Sequence, residues 1–381
     1  MDMRASTLIA APPSPPLRVE LEARPDPALL EPEWTALEER AGASFFLSWH
    51  WIGCWLRSQA PEVVLLRVRL GERTVGLGLL CWREERRHGV LRVPTLHLNA
   101  TGDELLDVLT IEYNDMLAEE GLRDQVRSAA LGWLRGARRV AGRPFWALQV
   151  RGTTEPVRVA GEAAGFRARL HAKAPSAAVD LAAVRASGRS YLQHVSGNTR
   201  SQIRRAARLY EMRGKLRLET ARDTAEALAF LEAAGELHQA RWQARGRPGA
   251  YASPTYVAFH RSLVAAAHPA GAVELLRVRA GDETVGYLYN FVWRGRVYFY
   301  LCGFRYEEDN RLKPGLVSHW LCIERHLAGG AELYDFMAGD NRYKTSLGTP
   351  GPDIVTAIME KPHPALRAEN LLRRLRARLR R

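Results

Sequence analysis

Apolar and polar residues alternate with a period of two along several stretches of this chain, and with a period near 3.6 between them. The alternating stretches, rich in β-branched and aromatic residues, predict strands at 62–69, 74–83 and 90–97. Two more follow at 287–293 and 297–301, joined by an Arg294-Gly295 turn. Gly303 then breaks the pattern, which predicts a bulge or a strand end. Shorter strands are expected at 17–21, 145–150, 168–172 and 177–181, and in Leu333-Tyr-Asp-Phe-Met. Helical spacing marks a helix that Asp26 could cap, running through Pro32-Glu33-Trp34 to Ala41, and another at 48–56, where Trp51 and Trp55 lie one turn apart. It returns at 119–135, 155–164 and 316–327. In the last of these Leu316, Trp320, Ile323 and Leu327 form one stripe that Gly329-Gly330 ends. Interleaved strands and helices predict an α/β (α+β) class.

The pattern also repeats. Leu65-Leu-Arg-Val-Arg-Leu-Gly-Glu-Arg-Thr-Val-Gly76 returns 210 residues later as Leu275-Leu-Arg-Val-Arg-Ala-Gly-Asp-Glu-Thr-Val-Gly286. Each copy reads as strand, tight turn at Gly71-Glu72 or Gly281-Asp282, and a second strand. A helical region precedes each, with Trp34 and Trp51 in one and Trp242 and Tyr256 in the other. Hairpins do converge on such strings, but differences at only three positions predict two copies of one module. The expected division is a disordered lead at 1–17, modules at 18–182 and 183–362, and a basic tail helix at 363–381. In the tail, Leu371, Leu372, Leu375 and Leu379 share one side. That stripe packs on the protein or lies on an anionic membrane, and packing is the reading preferred here.

Composition bounds the function. Over 381 residues the formal net charge is +13, which favours an anionic partner such as a nucleotide cofactor, RNA or an anionic membrane. Arginine supplies nearly all of it; lysine stands only at 173, 215, 313, 344 and 361, so Lys313 and Lys344 on either side of one helix are conspicuous. Cys54, Cys81, Cys302 and Cys322 form no C-x-x-C pair and read as buried thiols of a reducing compartment. No apolar run has the length of a membrane span, and the prolines at 12, 13, 15 and 16 end the first apolar stretch too early for a signal peptide. A cytoplasmic protein is expected, with peripheral membrane contact left open.

The chemistry concentrates at 310–344. Asn310-Arg-Leu-Lys-Pro-Gly-Leu-Val-Ser-His319 places a Pro-Gly helix start directly after a strand. Free amides and the positive helix end favour an anion there, with Arg311, Lys313, Gly315, Leu316, Val317 and Ser318 around it. The next strand delivers Asp335, Tyr343 and Lys344 nearby, while Asp340 and Asn341 read as turn residues. Asp335 is either a general base with a burial-raised pKa or an ion-pair partner. His319 and His326 are seven residues apart, two helical turns, and do not chelate one metal; no metal is expected. The 198–211 helix, with Asn198 as candidate cap, carries Arg200, Arg204, Arg205 and Arg208 on one face. That face is a solvated surface or, less favoured, a phosphate contact.

The duplicated module, this arginine-rich helix, and the pattern Pro314-Gly315, Tyr334-Asp335-Phe336, Gly339-Asp340 and Tyr343-Lys344 resemble the acetyltransferase-like family of tandem GNAT domains. That family includes proteins associated with cellulose and exopolysaccharide production and is related to the Fem-type aminoacyl-transferases. The resemblance implies two tandem GNAT folds, each a mixed, mostly antiparallel sheet flanked by helices, and transfer of an acyl group from acetyl-CoA or another acyl-CoA to an amine or hydroxyl. The acceptor would be an envelope polysaccharide precursor or another small molecule. The usual Gln/Arg-x-x-Gly-x-Gly/Ala pyrophosphate loop is altered: Leu312 and Val317 stand at its ends, and Arg311 sits one residue early. The resemblance also implies a catalytic Lys344, since a lysine after an aromatic residue contacts substrate in Fem-type relatives, with Tyr343 beside it. Tyr113 and Asp115, following a strand-like run at 105–111, would face the acceptor between the modules. Tyr298 and Tyr300, on one face of a strand, line an acceptor groove or pack in the core. Two alternatives stay open: transfer from aminoacyl-tRNA, although no coiled-coil arm is present, and a non-catalytic nucleotide-binding module.

Overall fold

A computed structural model describes residues 16–59 and 62–379 of the chain. Both copies of the repeat fold into the same hairpin with the same irregularity. Val63–Leu70 pairs with Arg73–Arg87, and Val273–Ala280 with Glu283–Trp293. Each ladder slips after the second pair from the turn, between Val68 and Arg69 in one and Val278 and Arg279 in the other. Gly71 and Gly281 make the turns at φ +61° and +60°, a left-handed conformation that other residues adopt at a cost.

The first sheet runs Leu17–Ala23, Val63–Leu70, Arg73–Arg87, Leu91–Leu98, Ala147–Thr153, Ile354–Glu360, Arg167–Ala174. The second runs Leu216–Thr220, Val273–Ala280, Glu283–Trp293, Arg296–Phe304, Leu333–Ala338, Ser176–Asp180, Thr349–Pro350. Neighbours are antiparallel except at one place in each sheet. Leu91–Leu98 and Ala147–Thr153 run parallel over three residue pairs, and so do Arg296–Phe304 and Leu333–Ala338. In the second sheet pairing stops at Tyr298 and Asp335 while the strands continue to Phe304 and Ala338, so the strands part and leave a wedge.

Two strands depart from the expected division of the chain. The strand at 177–181, read as completing the first module, is Ser176–Asp180 of the second sheet, against Leu333–Ala338. In exchange Ile354–Glu360 enters the first sheet between Ala147–Thr153 and Arg167–Ala174. Each half thus covers an edge that the other would leave unpaired.

The halves also share one core. Trp34, Phe45, Phe46 and Trp51 pack with Phe230, Phe259, Tyr289 and Phe291, all buried. The Phe45 and Phe291 rings stack at 4.2 Å, and Arg294 donates to the carbonyls of Glu38 and Ala41.

Local expectations are corrected in four places. Gly303 lies inside its strand, where a side chain would meet the Ala234 carbonyl oxygen at 2.2 Å; it admits the backbone of the Thr224–Gln243 helix. Ser196, not Asn198, caps the arginine-rich helix Gly197–Glu211, its hydroxyl accepting from Thr199 N–H at 3.1 Å. The run at 105–111 is a turn around the short 3-10 helix Asp107–Leu109, pinned by Asp107 accepting from the amides of Thr101 and Gly102. The tail helix Pro364–Leu379 is docked by Leu366 and by buried Glu369 and Asn370, which bond to Arg87 and Glu360. Leu371 and Leu372 stay exposed instead of packing. No helix among the described residues is long and apolar enough to cross a membrane.

Candidate active site

The wedge in the second sheet is where the halves bring ionisable groups together. Asp335, on the last paired position of its strand, is 2% exposed. Its Oδ1 accepts the Met337 N–H at 2.7 Å, and its Oδ2 accepts the Tyr113 hydroxyl, from the first half, at 2.7 Å. One residue earlier, Glu112 Oε2 accepts the Ala338 N–H at 2.8 Å. Lys344, in the short helix Arg342–Leu347, turns its ammonium inward and donates to the carbonyls of Ala338 at 2.5 Å and Met337 at 3.4 Å. A side chain on Gly339 would stand 3.0 Å from that nitrogen, so glycine there leaves the ammonium its space. Tyr113 and Met337 sit at φ +53° and +59°, unusual for large side chains. Such conformations persist where the surroundings over-determine them, commonly at functional sites.

Burial dominates the electrostatics. It pushes the Glu112 carboxyl up to about 7 against the opposing pull of the Ala338 amide and Lys344. It raises Asp335 as well, and it lowers Lys344 from the ordinary lysine range, against the attraction of Glu112 and Asp335. Burial thus disfavours the charged form of all three groups, most clearly at Glu112.

Two cavities adjoin this cluster, and a third borders the short helix that carries Lys344. One of about 300 Å³ is largely apolar, walled by Trp51, Trp55, Leu109, Ile111 and Val355, with Glu112 and Ala338 at its edge. A second, of about 350 Å³, is polar and holds Arg123, Arg294 and Arg296 with Tyr113 and Tyr298. Residues 111–115 run between the two, Ile111 and Glu112 lining the first and Tyr113, Asn114 and Asp115 the second. The third, of about 860 Å³, opens where the Pro314–Ala328 and Gly197–Glu211 helices both begin, beside Lys313, Arg342 and Tyr343. The first of those helices has no side-chain cap and no acid in its first turn, so its positive end faces the cavity uncompensated.

The sequence-derived residues scatter over these features. Lys344, Asp335 and Tyr113 meet at the junction, and Lys313 and Leu316 line the helix-start cavity. Tyr343 also faces that cavity, stacked on His319 at 5.3 Å. Arg311 instead folds back onto Asp309 at 2.8 Å on the surface, because the two lie in one tight turn. Val317 and Ser318 are fully buried in the helix's inner face, and Gly315 packs against Phe304. Asp115 is committed to a buried ion pair with Arg127, which removes it as a free acceptor ligand. Tyr298 reaches the polar cavity, whereas the Tyr300 hydroxyl lies 3.2 Å from His260 inside the aromatic core. Glu112 escaped the sequence reading; an isolated glutamate beside Tyr113 carries no periodic or spacing signal. Glu274, Cys322 and His326 bring ligand-type atoms within 4.8 Å of one another, a cluster that the histidine spacing did not anticipate. They form a hydrogen-bonded group with Asn290, and the His326 and Glu274 side chains lie 2.8 Å apart.

Comparison with known proteins bears on the same region. Residues 197–345 match the family of the acetyltransferase (GNAT) domain. That span holds the wedge, the Pro-Gly helix start, Asp335 and Lys344. Among solved structures, FemX aligns over 89% of this chain and 95% of its own, at 11% identity and a TM-score of 0.53. The C-terminal domain of a putative lysylphosphatidylglycerol synthetase from Agrobacterium fabrum aligns over 91% and 95%, at 12% identity and a TM-score of 0.52. L-PGS from Bacillus licheniformis aligns over 92% and 97%, at 12% identity and 0.50. At such identities the likeness is one of fold. No curated protein sequence matches the chain. The GNAT domain and these full-length alignments, with the repeated hairpin and the two parallel strand pairs, establish two tandem GNAT-like units.

Proposed function

We propose that the chain is an acyltransferase that moves an acetyl or other acyl group from acyl-CoA to an amine or hydroxyl of a small molecule or envelope-glycan precursor. One observation carries this reading: the buried Lys344 ammonium, held by two main-chain carbonyls, shares the wedge of the GNAT domain with a carboxyl, Glu112, that burial moves to about 7. The helix-start cavity, with Lys313 and the free amides of the first turn, suits the donor's pyrophosphate. The acceptor nitrogen or oxygen attacks the thioester carbonyl; its proton passes to the Glu112 carboxylate as the new bond forms. Lys344 opposes the negative charge on the carbonyl oxygen, then on the departing sulfur as the C–S bond breaks. Asp335, with both oxygens already holding donors, positions Tyr113 and the 112–113 segment and is not the base. Release of free CoA from acetyl-CoA in the presence of amine acceptors, followed by a thiol reagent, tests this. Acceptor-dependent release that Lys344→Ala abolishes supports the proposal; equal release by the variant contradicts it.

A second donor has one specific argument. Arg204, Arg205 and Arg208 are exposed, without a carboxylate within 4.0 Å among the described residues, on the helix that borders the donor cavity. That surface suits aminoacyl-tRNA, and acyl transfer from charged tRNA with none from acyl-CoA would select it.

A further inference from the structure

The polar cavity beside the cluster has an excess of positive charge that the fold does not neutralise. Arg127 is spoken for by Asp115 and Asp124. The other three arginines are not. Arg294 donates to two main-chain carbonyls and Arg123 to one, at Gly42, 3.0 Å away; neither has a carboxylate within 4.0 Å among the described residues. Arg296 has only Asp335, at 3.9 Å, and that carboxylate already accepts the Tyr113 hydroxyl and the Met337 amide. Arg296 lies over the Tyr113 and Tyr298 rings, 5.8 and 5.6 Å from their centres, which fixes its plane at the cavity wall.

Arg123 and Arg296 are half-buried and Arg294 exposed around about 350 Å³, and they face only loose compensation: Asp335 at 3.9 Å from Arg296, and Glu38, which feels the Arg294 charge without an ion pair. Guanidinium is also the side chain best shaped to hold a planar or tetrahedral oxyanion by paired N–H donors. The cavity's size excludes a polymer and suits a small ligand. Its wall residue Tyr113 follows Glu112 directly in the chain and also makes the Asp335 contact.

We infer that this arginine-walled cavity binds the oxyanion of a small acceptor, a carboxylate or a phosphate ester, and so holds the acceptor's nucleophile toward the Glu112–Lys344 cluster. The inference rests on the acyltransferase reading for its direction and deepens it by giving the acceptor a charge. The donor's own phosphates belong to the separate helix-start cavity, so the two anion sites are separable by mutation.

Thermal unfolding of the full chain tests it, titrated with sodium phosphate or sodium succinate against sodium chloride at matched ionic strength. Phosphate, succinate or both should raise the midpoint saturably by about 2–4 °C in the native protein; whichever does so distinguishes a phosphate ester from a carboxylate. The Arg123→Gln/Arg296→Gln protein should lose that rise. Arg167→Gln/Arg189→Gln, which removes two exposed arginines that do not line the cavity, should keep it. Ligand-free midpoints within a few degrees of native show that each variant folds. No saturable rise with either anion, or a rise that survives the Arg123/Arg296 substitutions, overturns the inference. Because the readout needs no turnover, anion binding without acyl transfer would sink the acyltransferase reading alone. Arginine-independent transfer to neutral amines would sink this one alone.

Discussion

The two halves start from the same hairpin and the same parallel strand pair and diverge at the point where that pair ends. In the first half the last pair is His97 with Gln149, both buried. Burial drives His97 down to about 3, so it stays neutral, and neither ring nitrogen has a hydrogen-bond partner. In the second half the equivalent pair is Tyr298 with Asp335, and Asp335 reaches across to the other half. The helices that follow differ in the same sense. Arg123–Gly136 has Asp124 in its first turn, which answers the positive helix end locally. Pro314–Ala328 has no such acid and opens on a cavity. The two copies thus differ at the same place: one buries a neutral His97 where its strand pair ends, and its loop before the helix brings Glu112 and Tyr113 against the other copy.

That contrast can be broken in graded steps. Lys344→Ala, in the active wedge, should lower kcat/KM by about a thousand-fold, the scale of losing a buried charge aimed at an oxyanion. Circular dichroism should show the fold intact. Glu112→Gln removes the first half's contribution and should cost about a hundred-fold. Its pH profile sharpens the assignment. A base works when deprotonated, so native kcat/KM should rise with pH through about 7. It should fall again as Lys344, whose pKa burial lowers, loses its proton on the alkaline side. The Gln variant should lack the rising limb. Lys313→Gln should raise the acyl-CoA KM about five- to tenfold, the equivalent of roughly 1 kcal/mol. Arg123→Gln at the first half's helix start should leave the donor KM unchanged.

The smallest effect compares the hairpin turns themselves. Gly71→Ala forces a left-handed alanine into open space and should cost about 1 kcal/mol in chemical denaturation. Gly281→Ala should cost more, because its new methyl would stand 2.7 Å from the Arg213 carbonyl oxygen. Equal losses would mean that the second turn relaxes freely.

Local signals made most of the fold legible. Period-two runs, Gly71 and Gly281, and the repeated string located both hairpins, since side-chain alternation and turn chemistry are properties of short segments. The exchange of Ser176–Asp180 and Ile354–Glu360 between sheets was invisible for the opposite reason. The first read as an ordinary β segment and the second was not read as a strand at all, and only tertiary pairing decides which edge each covers. The site divides the same way. Lys344 and the Pro314-Gly315 start stood out by residue rarity and helix-start chemistry, and Tyr113 by the family resemblance. Glu112 could not, since it acquires its role from a contact with Ala338 that lies 226 residues away. Arg311 and Asp115 misled because the sequence shows a charge without its partner; Asp309 and Arg127 neutralise them.

The most direct test of the shared site is a crystal structure of the chain with acetyl-CoA bound. The account requires the pyrophosphate against the Gly315 and Leu316 amides near Lys313, and the thioester carbonyl oxygen within about 3 Å of Lys344 Nζ. A cofactor bound in the first half's wedge, or a thioester turned away from Lys344 toward solvent, would contradict it.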